Sequence, residues 1–189
     1  MKKKVELIPC CDRNGKECGR PIPKDWAHKK GVIHPTAHVL IFNTQGKLIV
    51  QLRKETKQTH PLHWDISSAG HIDWGESPLD AALRETREEL GLELQKSMLS
   101  SVGGWYSASF YARNKTIDRE FNWVFICNEL IDDRQLRHQP EEILRLDACP
   151  MEIMTTHRAW NHYPIVPQHD QYWLAVREKL SLLRLQPFR

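Results

Sequence analysis

The sequence has no long hydrophobic run and no strong excess of one charge. No apolar stretch approaches the roughly 20 residues that a helix needs to cross a bilayer, so a membrane-spanning protein is not expected. The basic start of the chain lacks the apolar core of a signal peptide, because Glu6 and Pro9 interrupt it, and we therefore expect a cytoplasmic protein. The net charge of +3 is too small to indicate a nucleic-acid polymer as partner.

Cysteine is scarce and odd in number, which argues against a framework of disulfides. The five cysteines are Cys10, Cys11, Cys18, Cys127 and Cys149, and their spacing fits no zinc-ligand pattern. We expect reduced, partly buried thiols. A metal knuckle built from Cys10, Cys11 and Cys18 is the alternative.

Length and composition indicate a single globular domain. The chain has 189 residues, of which 40% are hydrophobic and 27% charged, and it shows neither an internal repeat nor a low-complexity linker. We expect one domain over residues 1–189. Turn-forming residues predict an N-terminal hairpin or arm over 1–35, and an amphipathic end predicts a C-terminal helical extension over 160–189.

Strand-like and helix-like segments alternate along the middle of the chain. Runs rich in aliphatic, β-branched or aromatic residues predict strands at 37–42, 48–52, 64–68, 99–106 and 121–127. Segments expected to be helical or irregular are 140–146, 151–159 and 168–183. This alternation favours the α/β class, as an α/β/α sandwich over a mixed sheet.

Residues 77–90 carry the start and stop signals of a helix. Ser77 suits the N-cap, Pro78 suits the first helical position, and Gly91 suits the end. Within this helix, three glutamates share one face because they are spaced i, i+3 and i+4; they are Glu85, Glu88 and Glu89. Carboxylates are the ligands that Mg²⁺ and Mn²⁺ prefer, although a solvated acidic face paired with neighbouring arginines is the alternative.

The larger pattern favours the metal site. Residues 70–91 read Gly-x5-Glu-x7-Arg-Glu-x-x-Glu-Glu-x-Gly, and a chance match in a chain of this length is on the order of one in a million. This stretch resembles the Nudix box, in which Leu92 supplies the aliphatic residue after the final glycine. Thr86 departs from the family's usual aliphatic residue, but its methyl group can still pack on the buried side of the helix.

The resemblance implies a Nudix-type pyrophosphohydrolase that uses Mg²⁺ or Mn²⁺ to cleave a diphosphate linkage by attack of water at phosphorus. By this likeness Glu85, Glu88 and Glu89 hold metal and Arg84 orients a glutamate. The motif residues with structural roles are Gly70, Glu76 and Gly91. The expected partner is a small-molecule diphosphate, with no nucleic acid polymer and no membrane, and a homodimer is possible.

A weaker sequence resemblance, over roughly residues 5–127, indicates the hydrolases related to isopentenyl-diphosphate isomerase. Isomerases of that kind carry a catalytic cysteine just before the histidine that corresponds to His71, whereas this chain has Ser67 and Ser68 there. Isomerase chemistry is therefore an alternative, as is a Nudix-fold binding module without catalysis. A module of that kind would be expected to lose the metal-binding glutamates.

Several residues outside the box are further candidates for the site. Glu120, at the start of a hydrophobic strand, resembles an acid that many Nudix hydrolases place opposite the helix carboxylates, and we predict a catalytic and metal-binding role for it. Its alternative is an exposed strand-end acid. Arg53 and Lys57 match basic residues that hold diphosphate in the isomerase relatives, with a solvated loop as the alternative.

Some histidines and aromatic residues are weaker candidates. His34 and His71 align with metal ligands of the isomerase relatives, but we favour packing and strand-capping roles for them. Aromatic residues that could stack on a substrate ring are Trp105, Tyr106 and Trp123, for which packing is the more common role.

Overall fold

The computed structural model describes residues 5–156 and 158–185. The described chain begins with a small antiparallel pair, β1 (Leu7–Ile8) and β2 (Ile22–Pro23), followed by helix α1 (Lys24–Lys30). This pair lies within the segment expected as an N-terminal hairpin or arm over 1–35, of which residues 1–4 are outside the described residues, and α1 was not predicted. This seven-residue helix ends at Gly31, whose left-handed backbone (φ 64°) turns the chain into the first long strand.

The main sheet is mixed and has four strands. Its members are β3 (His34–Leu40), β6 (Ser68–His71), β7 (Leu99–Tyr111) and β8 (Thr116–Cys127), in the spatial order β6-β3-β8-β7. β3 pairs in parallel with β8 and antiparallel with β6, and β7 and β8 form a long hairpin. The register sets His34 opposite Glu120 and Thr36 opposite His71, so the β3–β8 and β3–β6 pairs bring candidate site residues to one end of the sheet.

A second sheet is antiparallel and has three strands, β5 (Trp64–Asp65), β4 (Leu48–Arg53) and β9 (Ile143–Cys149). The expectation of helical or irregular structure over 140–146 is wrong from Ile143 onward. β9 forms because the edge of β4 offers unpaired backbone groups, and Leu48 lies opposite Cys149. The run predicted as one strand over 64–68 is divided between β5 and β6, which belong to different sheets.

Helices cover both faces of this strand assembly. Helix α2 (Pro78–Leu90) packs Ala81, Ala82 and Leu90 into one hydrophobic cluster with Val39 and Ile41. On the opposite side, α4 (Asp170–Leu182) contributes Tyr172, Trp173, Val176 and Leu180 to a second cluster that contains Leu40 and Val50. Alternate residues of β3 thus face different helices, and the expected α/β/α sandwich with a mixed sheet is confirmed.

The remaining helical segments are short. Helix α3 (Met151–Met154) covers only the first part of the segment expected over 151–159, and two single 3₁₀ turns occupy Lys96–Met98 and Asp133–Gln135. Over residues 5–156 and 158–185, no helix has both the length and the apolar character that crossing a membrane would demand.

Candidate active site

The ends of α2 follow the capping signals in the sequence. The Ser77 hydroxyl accepts a hydrogen bond from the Asp80 amide at 3.2 Å, and Pro78 occupies the first turn. Gly91 ends the helix with a left-handed backbone (φ 63°), a conformation that favours glycine. The positions of the two helix ends determine which residues of α2 lie beside β6 and beside the loop between β6 and α2.

Arg84 connects the loop before α2 to the carboxylates on it. Its guanidinium donates to both oxygens of Glu76 at 2.9 Å and to the His71 carbonyl at 2.8 Å. It also contacts Glu85 at 2.6 Å and Glu88 at 3.3 Å. Glu76 in turn accepts from the Asp73 amide at 3.0 Å. Arg84 is therefore in contact with both Glu85 and Glu76, and Glu76 is hydrogen-bonded to the loop before α2.

The three glutamates of α2 differ in environment. Glu88 stands at the rim, with about half of its side chain exposed. Glu89 is 3% exposed and accepts from the Ala69 amide at 3.0 Å and from Gln51 at 3.1 Å. Burial raises the pKa of Glu89 to about 7, and burial together with the nearby Glu89 charge raises the pKa of Glu85 to about 8. A nearby cation would oppose both shifts.

Gly70 lies directly against Glu85. A Cβ atom at this position would come within 2.0 Å of the Glu85 carboxyl carbon. Only glycine lets β6 approach the carboxylate this closely, which accounts for the first glycine of the box.

We expect Gly70→Ala to separate positioning from stability. The colliding atoms are the far end of a flexible side chain, so Glu85 can swing aside, and the free energy of unfolding should fall by no more than about 1 kcal/mol. The displaced carboxylate should cost at least about 10-fold in turnover on a diphosphate substrate, about 1.4 kcal/mol. Denaturant unfolding and kinetics of the same preparation measure the two effects. Full turnover in this variant would show that the Glu85 position does not matter.

One cleft of about 780 Å³ collects most of the candidate residues. Those that line it are Arg53, Lys57, Gly70, His71, Arg84, Glu85, Glu88 and Glu120. Glu89 lies behind this surface, against Ala69 and Gln51. Glu120 accepts from the side-chain amide of Asn122 at 3.0 Å and lines the same cleft as Glu85, which is the placement that a fourth carboxylate requires.

Three histidines from different elements meet beside this cleft. His28 comes from α1, His34 begins β3 and His71 ends β6, and their ring centroids are 4.9 to 5.3 Å apart. The His34 ring contacts the Val32 carbonyl at 2.9 Å, so a strand-capping role for His34 is present. The Nε2 atom of His71 lies 3.3 Å from the Nε2 atom of His28, within hydrogen-bond distance.

Asp118 and Glu120 add carboxylates to the histidines. Asp118 lies 3.6 Å from the Nε2 atom of His28 and 3.8 Å from that of His34. Possible ligand atoms of His34, Asp118 and Glu120 lie within 4.8 Å of one another, and those of the three histidines do so as well. We refer to these five residues, His28, His34, His71, Asp118 and Glu120, as the histidine–acid cluster.

The chemistry of the histidine–acid cluster fits a divalent cation. Within the described residues, His28 Nδ1, His34 Nε2 and Asp118 Oδ1 are buried without a hydrogen-bond partner. Burial lowers the pKa of all three histidines and raises the pKa of Asp118 and of Glu120 to about 7. Neutral imidazoles keep a lone pair for metal, and the buried carboxylates lack a fully compensating positive charge.

Sequence reasoning missed two members of this cluster, His28 and Asp118. A signal for Asp118 was present, because the spacing Asp118-x-Glu120 places both side chains on the same face of β8. The signal for His28 was weaker, since it depends on a helix, α1, within a segment that the sequence indicates as a hairpin or arm.

The two basic candidates line the cleft but already have acidic partners. Arg53 donates to Asp65 at 3.0 Å and to the Thr59 carbonyl at 3.0 Å. Lys57 contacts Glu142 at 2.5 Å. A phosphate would have to share or replace these partners.

The three aromatic candidates lie outside the lining of the cleft. Trp105 packs against Tyr172 at 5.4 Å between ring centroids, Trp123 packs against Phe121 at 5.1 Å, and the Arg13 guanidinium lies 5.1 Å from the centre of the Tyr106 ring. The packing alternative is therefore what the structure supports for these three residues.

The chain is similar in sequence and in fold to known Nudix proteins. The family model of the NUDIX domain matches residues 32–169. Nudix hydrolase 3 of Arabidopsis thaliana is 35% identical over 143 residues, which are 74% of this chain but only 18% of the Arabidopsis protein. An isopentenyl-diphosphate Delta-isomerase of Streptomyces coelicolor is 29% identical over 80% of this chain and 75% of its own length. The solved structure of DR0079 from Deinococcus radiodurans has the same fold, with a TM-score of 0.65 at 20% identity, over 91% of this chain and 98% of that one.

Proposed function

Because the chain belongs to the NUDIX domain family, we propose that it hydrolyses a diphosphate linkage in a small organic or nucleotide substrate with the help of divalent cations. One observation carries the proposal: Glu85 of the box and Glu120 of the histidine–acid cluster line the same cleft. That cleft has the size of a small-molecule site and a strongly polar lining.

Two sets of residues would hold cations. In the box these are Glu85, Glu88 and Glu89, with oxygen ligands suited to Mg²⁺ or Mn²⁺. The histidine–acid cluster, with mixed nitrogen and oxygen ligands, suits a transition metal such as Mn²⁺. A bound cation neutralises phosphate charge and lowers the pKa of water.

The residues that line the cleft have different roles in the proposed reaction. Arg84 holds Glu85 in place through a 2.6 Å contact. Without a cation, burial raises the pKa of Glu85 to about 8, and a cation held by the box would lower that pKa and favour the carboxylate form that binds metal. Arg53 and Lys57 would bind phosphate oxygens, and their present partners, Asp65 and Glu142, keep them positioned until substrate arrives.

The isomerase alternative rests on the isomerase-named relative and on the histidine–acid cluster. Against it, no cysteine lines the cleft in the part of the chain that the structure describes, so the thiol acid of such isomerases has no counterpart there. A binding module without catalysis would have no need of all three box glutamates.

A substrate screen tests the proposal and separates these alternatives. The purified chain is incubated with nucleotide sugars, dinucleotides, isoprenoid diphosphates and thiamin-like diphosphates, with Mg²⁺ or Mn²⁺ and with chelator. Cation-dependent release of phosphate or monophosphate supports hydrolysis. Conversion of an isoprenoid diphosphate without phosphate release would identify an isomerase, and binding without turnover would identify a module.

Lys57 offers a test of phosphate binding with a close control. We expect Lys57→Ala to raise KM about 10-fold with little change in kcat, since an ammonium near the cleft stabilises the anionic substrate and transition state alike. Lys54→Ala is the matched control, because the Lys54 ammonium donates to the Pro140 carbonyl and does not line the cleft. Equal kinetics in the two variants would remove Lys57 from the site.

A further inference from the structure

Two cysteines face each other across a small hairpin outside the cleft. The Cys10 and Cys18 sulfur atoms lie 3.8 Å apart, and both thiols are free. Cys18 is exposed and Cys10 is half-buried. The hairpin therefore presents a pair of thiols at the surface.

The backbone register places these residues directly opposite each other. Cys11 bridges Glu17 in antiparallel fashion, the Cys18 amide donates to the Cys10 carbonyl at 2.8 Å, and the Asp12 amide donates to the Lys16 carbonyl at 2.9 Å. Opposed residues at such a hydrogen-bonded position have Cα atoms about 5.5 Å apart, which is within the range that a disulfide spans. The Cys10 thiol now donates to the Cys18 carbonyl, so it must turn from that oxygen towards the Cys18 sulfur for the bond to form.

The loop between the two cysteines is held by hydrogen bonds and packs against β8. Asp12 accepts from the amides of Asn14 at 2.8 Å and Lys16 at 3.0 Å, which forms a tight turn. Gly15 lies so close to the Phe121 ring that a Cβ atom would come within 2.3 Å of it. The thiols are thus held by a turn that is packed on β8.

Metal binding is the other role open to neighbouring thiols. Among the described residues, no group of three ligand side chains within 4.8 Å of one another includes a cysteine, so the knuckle of Cys10, Cys11 and Cys18 receives no support. Cys11, 4% exposed, is inaccessible to a large reagent.

We propose that Cys10 and Cys18 form a reversible dithiol–disulfide site that exchanges with small disulfides. The exposed Cys18 sulfur, as thiolate, attacks one sulfur of a small disulfide RSSR, forming a mixed disulfide and releasing RS⁻, which takes up the proton that Cys18 lost. Cys10 then attacks the Cys18 sulfur, closes the protein disulfide and releases a second RSH. The protein is oxidised by two electrons and RSSR is reduced to two RSH.

The closed ring would stabilise the hairpin without depending on hydrolysis. A disulfide across a ring this short should raise Tm by on the order of 5 °C in a chain of this size. The loop packs on Phe121, next to Glu120 in sequence, so oxidation would also stiffen one support of the cleft.

The experiment uses the full chain and oxidised glutathione. The reduced protein is desalted, incubated with excess oxidised glutathione, alkylated and analysed by intact mass and by peptide mapping. We expect loss of two alkylatable thiols, a Cys10–Cys18 linked peptide and a higher Tm that dithiothreitol reverses. Cys10→Ser and Cys18→Ser should each abolish the link, and Cys11→Ala, the adjacent thiol, should retain it.

Other results would overturn the proposal. A link that includes Cys11, a stable glutathione adduct on Cys18 alone, or unchanged thiol numbers would each do so. Thermal unfolding of both serine variants under reducing conditions establishes that they are folded. None of these readouts involves turnover, so the outcome is independent of whether the chain proves to be a hydrolase.

Discussion

Glu85→Gln should lower turnover on a diphosphate substrate by at least about 100-fold, an effect of about 2.7 kcal/mol on the activation free energy. The amide keeps the shape of the side chain but removes both the negative charge that attracts a cation and the ability to accept a proton. It also removes the ionic partner that Arg84 contacts at 2.6 Å. Steady-state kinetics over a range of Mn²⁺ and Mg²⁺ concentrations measures the loss.

The thermal stability of Glu85→Gln, in contrast to its turnover, should not fall. Glu85 is buried beside Glu89, and its pKa, raised to about 8, is above that of an exposed glutamate. A raised carboxyl pKa means that ionisation of Glu85 opposes folding at neutral pH without a cation, so a neutral amide should match or exceed the wild-type Tm in chelator. Glu93→Gln, an exposed acid just after α2, is the matched control and should leave both quantities unchanged. Wild-type turnover by Glu85→Gln would rule out a role for this carboxylate in the reaction.

The parts of the structure that the sequence predicts well are those with local causes. The start of α2 depends on Ser77 and Pro78, and its end depends on Gly91, all within one turn of the helix ends. The spacing of the box acids then follows from helix geometry. What the spacing does not show is that Glu89 is hydrogen-bonded to the Ala69 amide and to the Gln51 side chain, which lie on other elements.

The parts of the structure that the sequence did not predict depend on contacts between residues far apart in the chain. β9 was expected to be helical or irregular over 140–146, and it is a strand because β4, nearly a hundred residues earlier, offers it an edge. The histidine–acid cluster draws residues from α1, β3, β6 and β8, and no short window of sequence contains more than two of them. The parallel pairing of β3 with β8 is the step that brings His34 and Glu120 together.

A double variant, His34→Ala with Asp118→Asn, should therefore weaken the tightest Mn²⁺ binding by at least about 100-fold, or about 2.7 kcal/mol. The change removes one imidazole and one carboxylate charge from the histidine–acid cluster and leaves the box acids intact. Titration of metal-free protein with Mn²⁺, followed by calorimetry and by the spin-resonance signal of free Mn²⁺, measures the affinity directly and requires no substrate.

The same titration distinguishes the histidine–acid cluster from the box. If each holds a cation, wild type should bind at two sites, the double variant should lose one, and Glu85→Gln should weaken the other. His138→Ala, an exposed histidine remote in sequence from the cluster, is the control and should bind Mn²⁺ as wild type does. Unaltered Mn²⁺ affinity in the double variant would assign the unpartnered buried atoms of His34 and Asp118 to packing alone, and the reaction would then depend on the carboxylates of α2.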